Sequence, residues 1–225
     1  MTPSPTTFLE ALPASDREAL LAAGHLRHWQ AGEVLLREGD VATGALLITA
    51  GLVKIHKHGR DGEELILSLC GPGDLLGEVS VGAAATRSAD ASALLAVEAV
   101  SVPVADLRAL LARQPRIALA LLELVLARLR VADQRRLEFA SAESLPRVTS
   151  RLLELVERFG VAGAEGTLTV EMPINQEELA SWAAASREST ARALRTLREL
   201  GVIETQRKRL VVRDVEALRR HAARV

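Results

Sequence analysis

Cysteine is almost absent from this sequence of 225 residues. The single residue, Cys70, excludes an intramolecular disulfide and any zinc or iron–sulfur site built on four thiolates of one chain. Cys70 ends the apolar run of residues 65–69, so we interpret it as a core side chain rather than as a nucleophile. We therefore expect no iron–sulfur cluster.

Long apolar runs and targeting signals are also lacking. No window of about 18 uncharged apolar residues occurs, and residues 1–7 contain no basic patch followed by an apolar run. We therefore predict a soluble, cytoplasmic protein with no membrane partner. An apolar content of 48% is enough to bury a core, and the length suits one large or two modest domains.

Histidines at a metal-binding spacing are a third absence. Two close pairs occur, His25/His28 and His56/His58, with His221 alone near the C-terminus. Neither pair has a carboxylate or a cysteine beside it at the spacing of metal ligands, so we interpret all of them as surface or strand residues. We predict neither a metal site nor an enzyme active site.

The net charge of −1 is small but unevenly distributed. Residues 174–225 contain 11 Lys and Arg against 7 Asp and Glu, a net charge of +4, which leaves 17 against 22, a net of −5, for residues 1–173. A polyanion would therefore bind to the C-terminal part.

Residues 77–88 combine an acidic side chain, a run of small residues and an Arg-Ser pair. Arg87 offers planar donors to phosphate oxygens, Ser88 adds a hydroxyl, and the backbone N–H groups of a small-residue turn can bind an anion. The Glu78 carboxylate would repel phosphate, so a sugar hydroxyl is its natural partner. The candidate ligand-binding residues of this stretch are Gly77, Glu78, Val79, Arg87 and Ser88.

An alternative interpretation of the same stretch needs no ligand. Glu78 and Arg87 would form an exposed ion pair, and residues 83–85 would cap a helix. The surrounding pattern decides between the two interpretations.

The pattern around this stretch predicts a β-roll. Residues 7–24 suit a short helix capped at Ser15 or Asp16, and residues 25–104 consist of short apolar runs separated by glycine. Asp61-Gly62 is a strong hairpin signal. The candidate ligand stretch therefore lies in a short helix and loop between strands, where a concave roll would form a pocket.

Helical periodicity begins at residue 106, and Pro115 separates a short helix from a long one. The long helix has a seam at alternating spacings of three and four, which predicts dimerisation through a second helix; packing on the roll is the alternative. Leu145-Pro146 is expected to interrupt the helix as a hinge before another helix at 148–159. The seam consists of Leu122, Val125, Leu129, Ala132, Arg136 and Phe139, with extra apolar surface from Leu121, Leu124 and Leu126.

Two capped short helices near the C-terminus predict a helix-turn-helix. Asn175 and Glu178 cap the first helix and Ser186 caps the second. Arginines at the start of the second helix can bind guanine and a glutamate can bind cytosine, although a solvated helix face is the alternative. The candidate DNA-binding residues are Ser186, Arg187, Glu188, Ser189 and Arg192, with Arg207 and Lys208 contacting phosphates from the tip of a hairpin wing.

Taken in order, these motifs resemble the cyclic AMP receptor protein and fumarate–nitrate regulator (Crp/Fnr) family of bacterial transcription factors over nearly the whole chain. The resemblance rests on Gly39-Asp40, Gly51, residues 73–78, Arg87-Ser88-Ala89, the long helix, Pro146-Arg147-Val148, Ser186-Arg187-Glu188 and Arg192.

The resemblance implies an α+β fold and a function. It implies a cyclic-nucleotide-binding β-roll (residues 1–114), a dimerisation helix (115–144) and a winged helix-turn-helix (145–225). Cyclic AMP in the roll would gate binding of a homodimer to double-stranded DNA at a palindromic TGTGA-like site, with RNA polymerase as a further partner. Glu78 would bind the ribose 2′-hydroxyl, Arg87 and Ser88 the phosphate, and Arg187, Glu188 and Arg192 the outer bases.

Two departures from the family pattern concern ligand choice and the turn. Ala132 and Asp133 occupy the positions where the family usually contacts the base with Thr and a small polar residue. Asp133 could accept from adenine, or from guanine N1 and N2, which would favour cyclic GMP, or it could face solvent. Ala184 replaces the usual turn glycine, which costs on the order of 1 kcal/mol if the turn needs a left-handed residue.

Two further functions stay open at this point. One is a regulator of the same family that binds DNA without a nucleotide; the other is a cyclic-nucleotide-binding module that acts on a protein partner. Intact Glu78 and Arg87 disfavour the first, and the basic helix-turn-helix disfavours the second.

Overall fold

A computed structural model describes residues 7–82, 86–140, 143–163, 166–171 and 174–223. The chain divides into two compact units, one ending at Arg130 and one beginning at Val131. No helix in these described ranges is long and apolar enough to span a lipid bilayer.

The described residues of the first unit form eight strands in two antiparallel sheets. The strands are β1 (His25–Trp29), β2 (Val34–Leu36), β3 (Gly44–Ala50), β4 (Val53–His58), β5 (Glu64–Cys70), β6 (Leu75–Leu76), β7 (Asp90–Ala93) and β8 (Val97–Pro103). One sheet has the order β1-β8-β3-β6 and the other β2-β7-β4-β5. The predicted β-roll is confirmed.

The central strand β3 separates two apolar cores, because successive side chains of a strand point to opposite faces. Leu46 and Ile48 pack toward the second sheet with Val53 and Ala91. Leu47, from the other face, joins a core formed with helices α1 (Ala14–Ala22), α2 (Val104–Arg113) and the start of α3 (Pro115–Ala140). The roll is therefore closed on one face by helices.

The N-terminal helix is shorter than the sequence predicts. It begins at Ala14 with Pro13 as N-cap, rather than near residue 7 with Ser15 or Asp16 as the cap. The Asp16 carboxylate is buried and lies 3.2 Å from Arg116 Nε, so it forms an ion pair instead of capping the helix. The expected boundary is wrong because this acidic side chain has a partner distant in sequence.

The break after the long helix also differs from the expectation. Helix α3 ends at Ala140 and α4 (Ser144–Phe159) begins before the proline, so Leu145-Pro146 is not the interruption. Pro146 lies in the first turn of α4, where a helix has unpaired N–H groups in any case and a missing donor costs nothing.

The second unit has helices packed on a small sheet. Strands β9 (Val161–Ala162), β10 (Leu168–Glu171), β11 (Ile203–Gln206) and β12 (Arg209–Val212) form an antiparallel sheet in the order β11-β12-β10-β9. The helices besides α4 are α5 (Gln176–Trp182), α6 (Arg187–Glu199) and α7 (Val215–Ala222). Their core is built from fully buried leucines, Leu152, Leu155, Leu194, Leu197 and Leu218. The predicted α+β class, with an N-terminal roll, a long helix and a C-terminal helix-turn-helix, is confirmed.

Candidate functional site

Gly77 forms the turn at the start of the predicted ligand stretch. It connects β6 to a 3-10 turn (Glu78–Val81) and has a φ of +74°, a left-handed conformation that favours glycine. A Cβ atom built on Gly77 would overlap Nη1 of Arg87, so the guanidinium packs directly against this backbone. The structure thus brings Gly77 and Arg87 together.

Arg87 is partly buried, and one of its donors has no partner. Its Nη2 donates to the Gly44 carbonyl at 2.8 Å, whereas Nη1 is buried without any hydrogen-bond partner among the described residues. Burial lowers the pKa of the guanidinium, against the opposing effect of the Glu78 and Asp40 carboxylates. A buried unpaired donor calls for an acceptor, and an anion fits this one best.

A cavity of about 450 Å³ lies beside this guanidinium, with a volume suited to a small ligand. Arg87 contributes to its wall, together with Leu36, Asp40, Gly44 and Leu46. Backbone hydrogen bonds hold Arg87 in place, since its N–H donates to Asp40 O at 2.8 Å and its carbonyl accepts from Gly39 N at 2.9 Å.

Glu78 pairs with Arg128, which the sequence interpretation missed. Arg128 Nη1 lies 2.5 Å from Glu78 Oε2, and Arg128 Nη2 donates to the Leu75 carbonyl at 2.6 Å. Burial is the largest single effect and lowers the pKa of Arg128, but Glu78, Cys70 and Asp74 together raise it by more, so the net pKa is raised. The interpretation of Glu78 and Arg87 as an exposed ion pair is therefore wrong.

A sequence signal for Arg128 does exist. It lies four residues after Leu124 and seven after Leu121, both of which pack against the roll core. A charge on the packed face of an amphipathic helix needs a buried partner. The sequence alone does not say that this partner is Glu78.

The remaining predicted ligand residues lie in more open positions. Ser88 is exposed, and Val79 belongs to the 3-10 turn, whereas residues 83–85 lie outside the described residues. Ala132 and Asp133 lie on the part of α3 that belongs to the second unit and are exposed. Asp133 Oδ1 accepts from Arg136 Nη1 at 2.9 Å. Their contact with a base stays a prediction.

The expectation that no carboxylate accompanies the histidines is wrong. Strand pairing places Glu64 opposite His58 and Asp90 opposite His56. His56 is buried, and burial lowers the pKa of its ring against the opposing effect of Glu64. Spacing along the sequence does not show neighbours that are created by strand register.

The helix-turn-helix is formed by α5 and α6, and its caps are as predicted. Asn175 and Glu178 form a capping box at the start of α5. The Ser186 hydroxyl accepts from Ser189 N at 3.1 Å at the start of α6. Between the helices, Ala184 has a φ of +48°, so the turn needs the left-handed residue that the missing glycine suggested.

Arg147 anchors this turn from α4, a role that no sequence motif indicated. Its Nε donates to the Ala183 carbonyl at 3.2 Å and its Nη2 to the Ala184 carbonyl at 3.3 Å. These contacts tie the tight turn to the neighbouring helix. They hold the start of α6 relative to the rest of the second unit.

The polar start of α6 is exposed, whereas Thr190, Ala193, Leu194 and Leu197 are buried. In this structure Arg187 forms an ion pair with Glu177. Arg192 Nη1 lies 2.5 Å from Glu188 Oε1, and its Nη2 donates to Ser189 Oγ at 3.0 Å.

The β11–β12 hairpin projects two more cations. Gln206 pairs with Arg209, which leaves Arg207 and Lys208 exposed in a two-residue turn. Lys208 has a φ of +57°. This arrangement has the form of the predicted wing.

Comparisons with known proteins match the two parts of the chain in which these candidate sites lie. Residues 26–114 match the family described as cyclic nucleotide-binding domain, and residues 146–221 match the Crp-like helix-turn-helix domain. The CRP-like cAMP-activated global transcriptional regulator of Mycobacterium tuberculosis is 33% identical over 191 residues, which are 85% of each chain. This chain belongs to the Crp/Fnr family of transcription regulators.

Further known proteins are similar to this chain. The cyclic AMP receptor protein of Thermus thermophilus is 33% identical over 192 residues, again 85% of each chain. The solved structure of FixK2 from Bradyrhizobium japonicum has a TM-score of 0.79 at 21% identity and covers 90% of this chain and 98% of its own, which shows the shared fold.

Family membership confirms the coarse predictions of function. The protein is a DNA-binding transcription regulator with a cyclic-nucleotide-binding domain, and it is not an enzyme.

Proposed function

We propose that this Crp/Fnr protein is a ligand-gated, sequence-specific regulator whose effector is cyclic AMP, with cyclic GMP as the alternative. The observation that carries the proposal is the buried Nη1 of Arg87, which has no partner among the described residues and belongs to a side chain that contributes to the wall of a 450 Å³ cavity. A cyclic phosphate supplies the anionic acceptor that this donor lacks.

The two ends of the nucleotide would bind different groups. Arg87 and Ser88 take the phosphate, with backbone N–H groups of the Gly77–Val79 segment nearby. The Glu78 carboxylate accepts from the ribose 2′-hydroxyl, while the ion pair between Arg128 and Glu78 Oε2 holds the carboxylate in place. Ala132 and Asp133 of α3 contact the base, and Asp133 decides between adenine and guanine.

The active form would be a homodimer assembled through α3. Its exposed large apolar side chains lie three and four residues apart, the spacing of a helix–helix seam. These residues are Leu122, Val125, Leu126 and Leu129, with Leu119 beside them. A second copy of the helix covers this face, as the family resemblance implies.

DNA recognition would require the arginines of α6 to exchange partners. Arg187 and Arg192 leave Glu177 and Glu188 and bind guanine edges, and Glu188 is then free to accept from cytosine. Arg207 and Lys208 of the wing contact phosphates, so affinity should fall with salt. RNA polymerase is the further partner that the resemblance implies.

Gating would follow from differential affinity. A nucleotide that binds one arrangement of the dimer more tightly shifts the population toward it. In the arrangement that binds a palindrome, the two α6 helices lie about one DNA turn, roughly 34 Å, apart.

A titration of a labelled TGTGA palindrome tests the proposal. We expect DNA affinity to rise with cyclic AMP, and the Arg87→Leu variant to lose this response while it still folds. Arg60→Leu is the matched control, because Arg60 is exposed at the tip of the β4–β5 hairpin and should respond like the natural protein. Unchanged affinity at all cyclic AMP and cyclic GMP concentrations would refute gating.

The same experiment separates the alternatives. Tight DNA binding with no nucleotide bound in calorimetry would identify a nucleotide-independent regulator. Nucleotide binding without DNA binding would indicate a module that acts on a protein partner.

A further inference from the structure

Strand pairing collects two histidines and a carboxylate on one face of the second sheet. His56 and His58 are two residues apart on β4, and alternate residues of a strand lie on the same face. Glu64, the first residue of β5, is paired with His58 across the hairpin. Three groups that can bind a metal ion therefore converge without any sequence motif.

The distances within this cluster are short. One ring nitrogen of each histidine and one carboxylate oxygen of Glu64 all lie within 4.8 Å of one another. His56 Nδ1 is 3.2 Å from Glu64 Oε2, and the two imidazole rings are 5.4 Å apart at an angle of 78°.

His56 has a fixed ring and an unpartnered nitrogen. The residue is only 5% exposed, and its Nε2 is hydrogen-bonded with Ser92 Oγ at 2.9 Å. Its Nδ1 makes no hydrogen bond with any described residue, because the Glu64 oxygen lies off the direction of the ring nitrogen. A metal-binding histidine usually has its second ring nitrogen hydrogen-bonded to an outer partner, which orients the ring, and Ser92 is that partner here.

We propose that His56, His58 and Glu64 bind one divalent transition-metal ion of the zinc class. Two imidazoles and one carboxylate are a donor set that Zn²⁺ accepts, with bonds of about 2.0–2.2 Å and a fourth position open to water. Such bonds place tetrahedral ligand atoms roughly 3.3 Å from one another. The separation of His56 and Glu64 meets this requirement, and His58 must move inward.

His58 is able to make this movement. Its side chain is 53% exposed, so rotation meets little packing. Asp90 Oδ2 lies 3.5 Å from His58 Nδ1, and the other oxygen of Asp90 accepts from Glu38 N at 2.9 Å. The Asp90 carboxylate is thus held in place, and it can orient the His58 ring without binding the metal ion itself.

The positive charge of Lys54 should weaken metal binding at this site. Its Nζ lies 2.7 Å from Glu64 Oε1, the carboxylate oxygen that does not face His56. The ammonium repels a second cation at this site. Removing it by Lys54→Met should tighten metal binding, an effect that no purely structural role of these histidines would produce.

The test uses the full chain after treatment with a chelator and dialysis. Zn²⁺ is titrated by calorimetry, and Co²⁺ is followed by its visible absorption, which reports tetrahedral coordination. We expect one ion per chain, at least a tenfold loss of affinity in His58→Gln and in Glu64→Gln, and no binding of Mg²⁺ or Ca²⁺, which prefer oxygen ligands. Circular dichroism checks that both variants fold.

The matched control is His28→Gln. His28 Nδ1 lies 3.5 Å from Glu98 Oε1, so this variant removes a histidine–carboxylate pair that has no third ligand in the described ranges. The proposal is overturned if the natural protein binds Zn²⁺ no more tightly than His58→Gln, or if His28→Gln weakens binding as much. Cyclic AMP affinity is measured separately, so that failure of the effector proposal is distinguishable.

Discussion

Replacing Gly77 by alanine should separate the cost of backbone strain from the loss of the ligand site. Gly77 has a φ of +74°, and an added methyl group would overlap Arg87 Nη1 and lie 3.3 Å from the Gly44 carbonyl. Gly62, at the tip of the β4–β5 hairpin, has a φ of +82° but nothing within 4 Å of an added Cβ. The two alanine variants therefore share the strain, and only one displaces Arg87.

The magnitudes follow from these contacts. A left-handed alanine costs about 1–2 kcal/mol, so both variants should lose a similar free energy of unfolding. At Gly77 the clash is with the end of a flexible side chain, which can move away. Its movement removes charge-assisted hydrogen bonds worth about 1.5–3 kcal/mol each, so the Kd for cyclic AMP should rise roughly tenfold to a hundredfold.

Urea denaturation and calorimetry with cyclic AMP measure the two effects. We expect Gly62→Ala to be destabilised and to bind the nucleotide normally, and Gly77→Ala to be similarly destabilised and to bind it poorly. Equal nucleotide affinity in the two variants would refute the role given to the contact between Gly77 and Arg87.

Three further predictions, which use four variants, concern the second unit. Arg151 forms a buried ion pair with Glu138, so Arg151→Met should lower the free energy of unfolding, measured by urea denaturation, by about 3–5 kcal/mol. Arg136→Ala removes an exposed ion pair and should change this free energy by less than about 1 kcal/mol. Ala184→Gly should raise the midpoint of urea denaturation by relieving the positive φ; a lower midpoint would show that the turn is unstrained. Asn175→Ala removes the capping box of α5 and should cost about 1 kcal/mol in the same assay, and no change would show that water replaces the cap.

Local features were predictable because they depend on residues close together in the chain. The Asp61-Gly62 hairpin, the caps at Asn175 and Ser186 and the left-handed turn at Ala184 all lie where the residue types require them. The local predictions that were wrong have a common cause. Asp16 binds Arg116 rather than capping a helix, and Pro146 starts a helix rather than ending one, because distant packing chose between two roles that each residue can fill.

The long helix shows the limit of periodicity. Its seam was visible in the sequence, but the structure divides the apolar residues of α3 between two faces. Ile117 and Ala120 are buried on the roll, whereas Leu122 and Leu129 are exposed. The apolar residues that become buried are those on the side of α3 that docks on the roll. The spacing of apolar residues in the sequence does not specify that side.

The sequence by itself determined the order of the parts, the family they resemble and the local turns and caps. Only the tertiary structure decided which side chains are neighbours: Arg128 with Glu78, Arg87 with the Gly77 backbone beside a cavity, and Glu64 with His56 and His58. The physical reason is that hydrogen bonds and ion pairs join atoms a few ångströms apart, and strand register and helix docking set those distances between residues far apart in the chain.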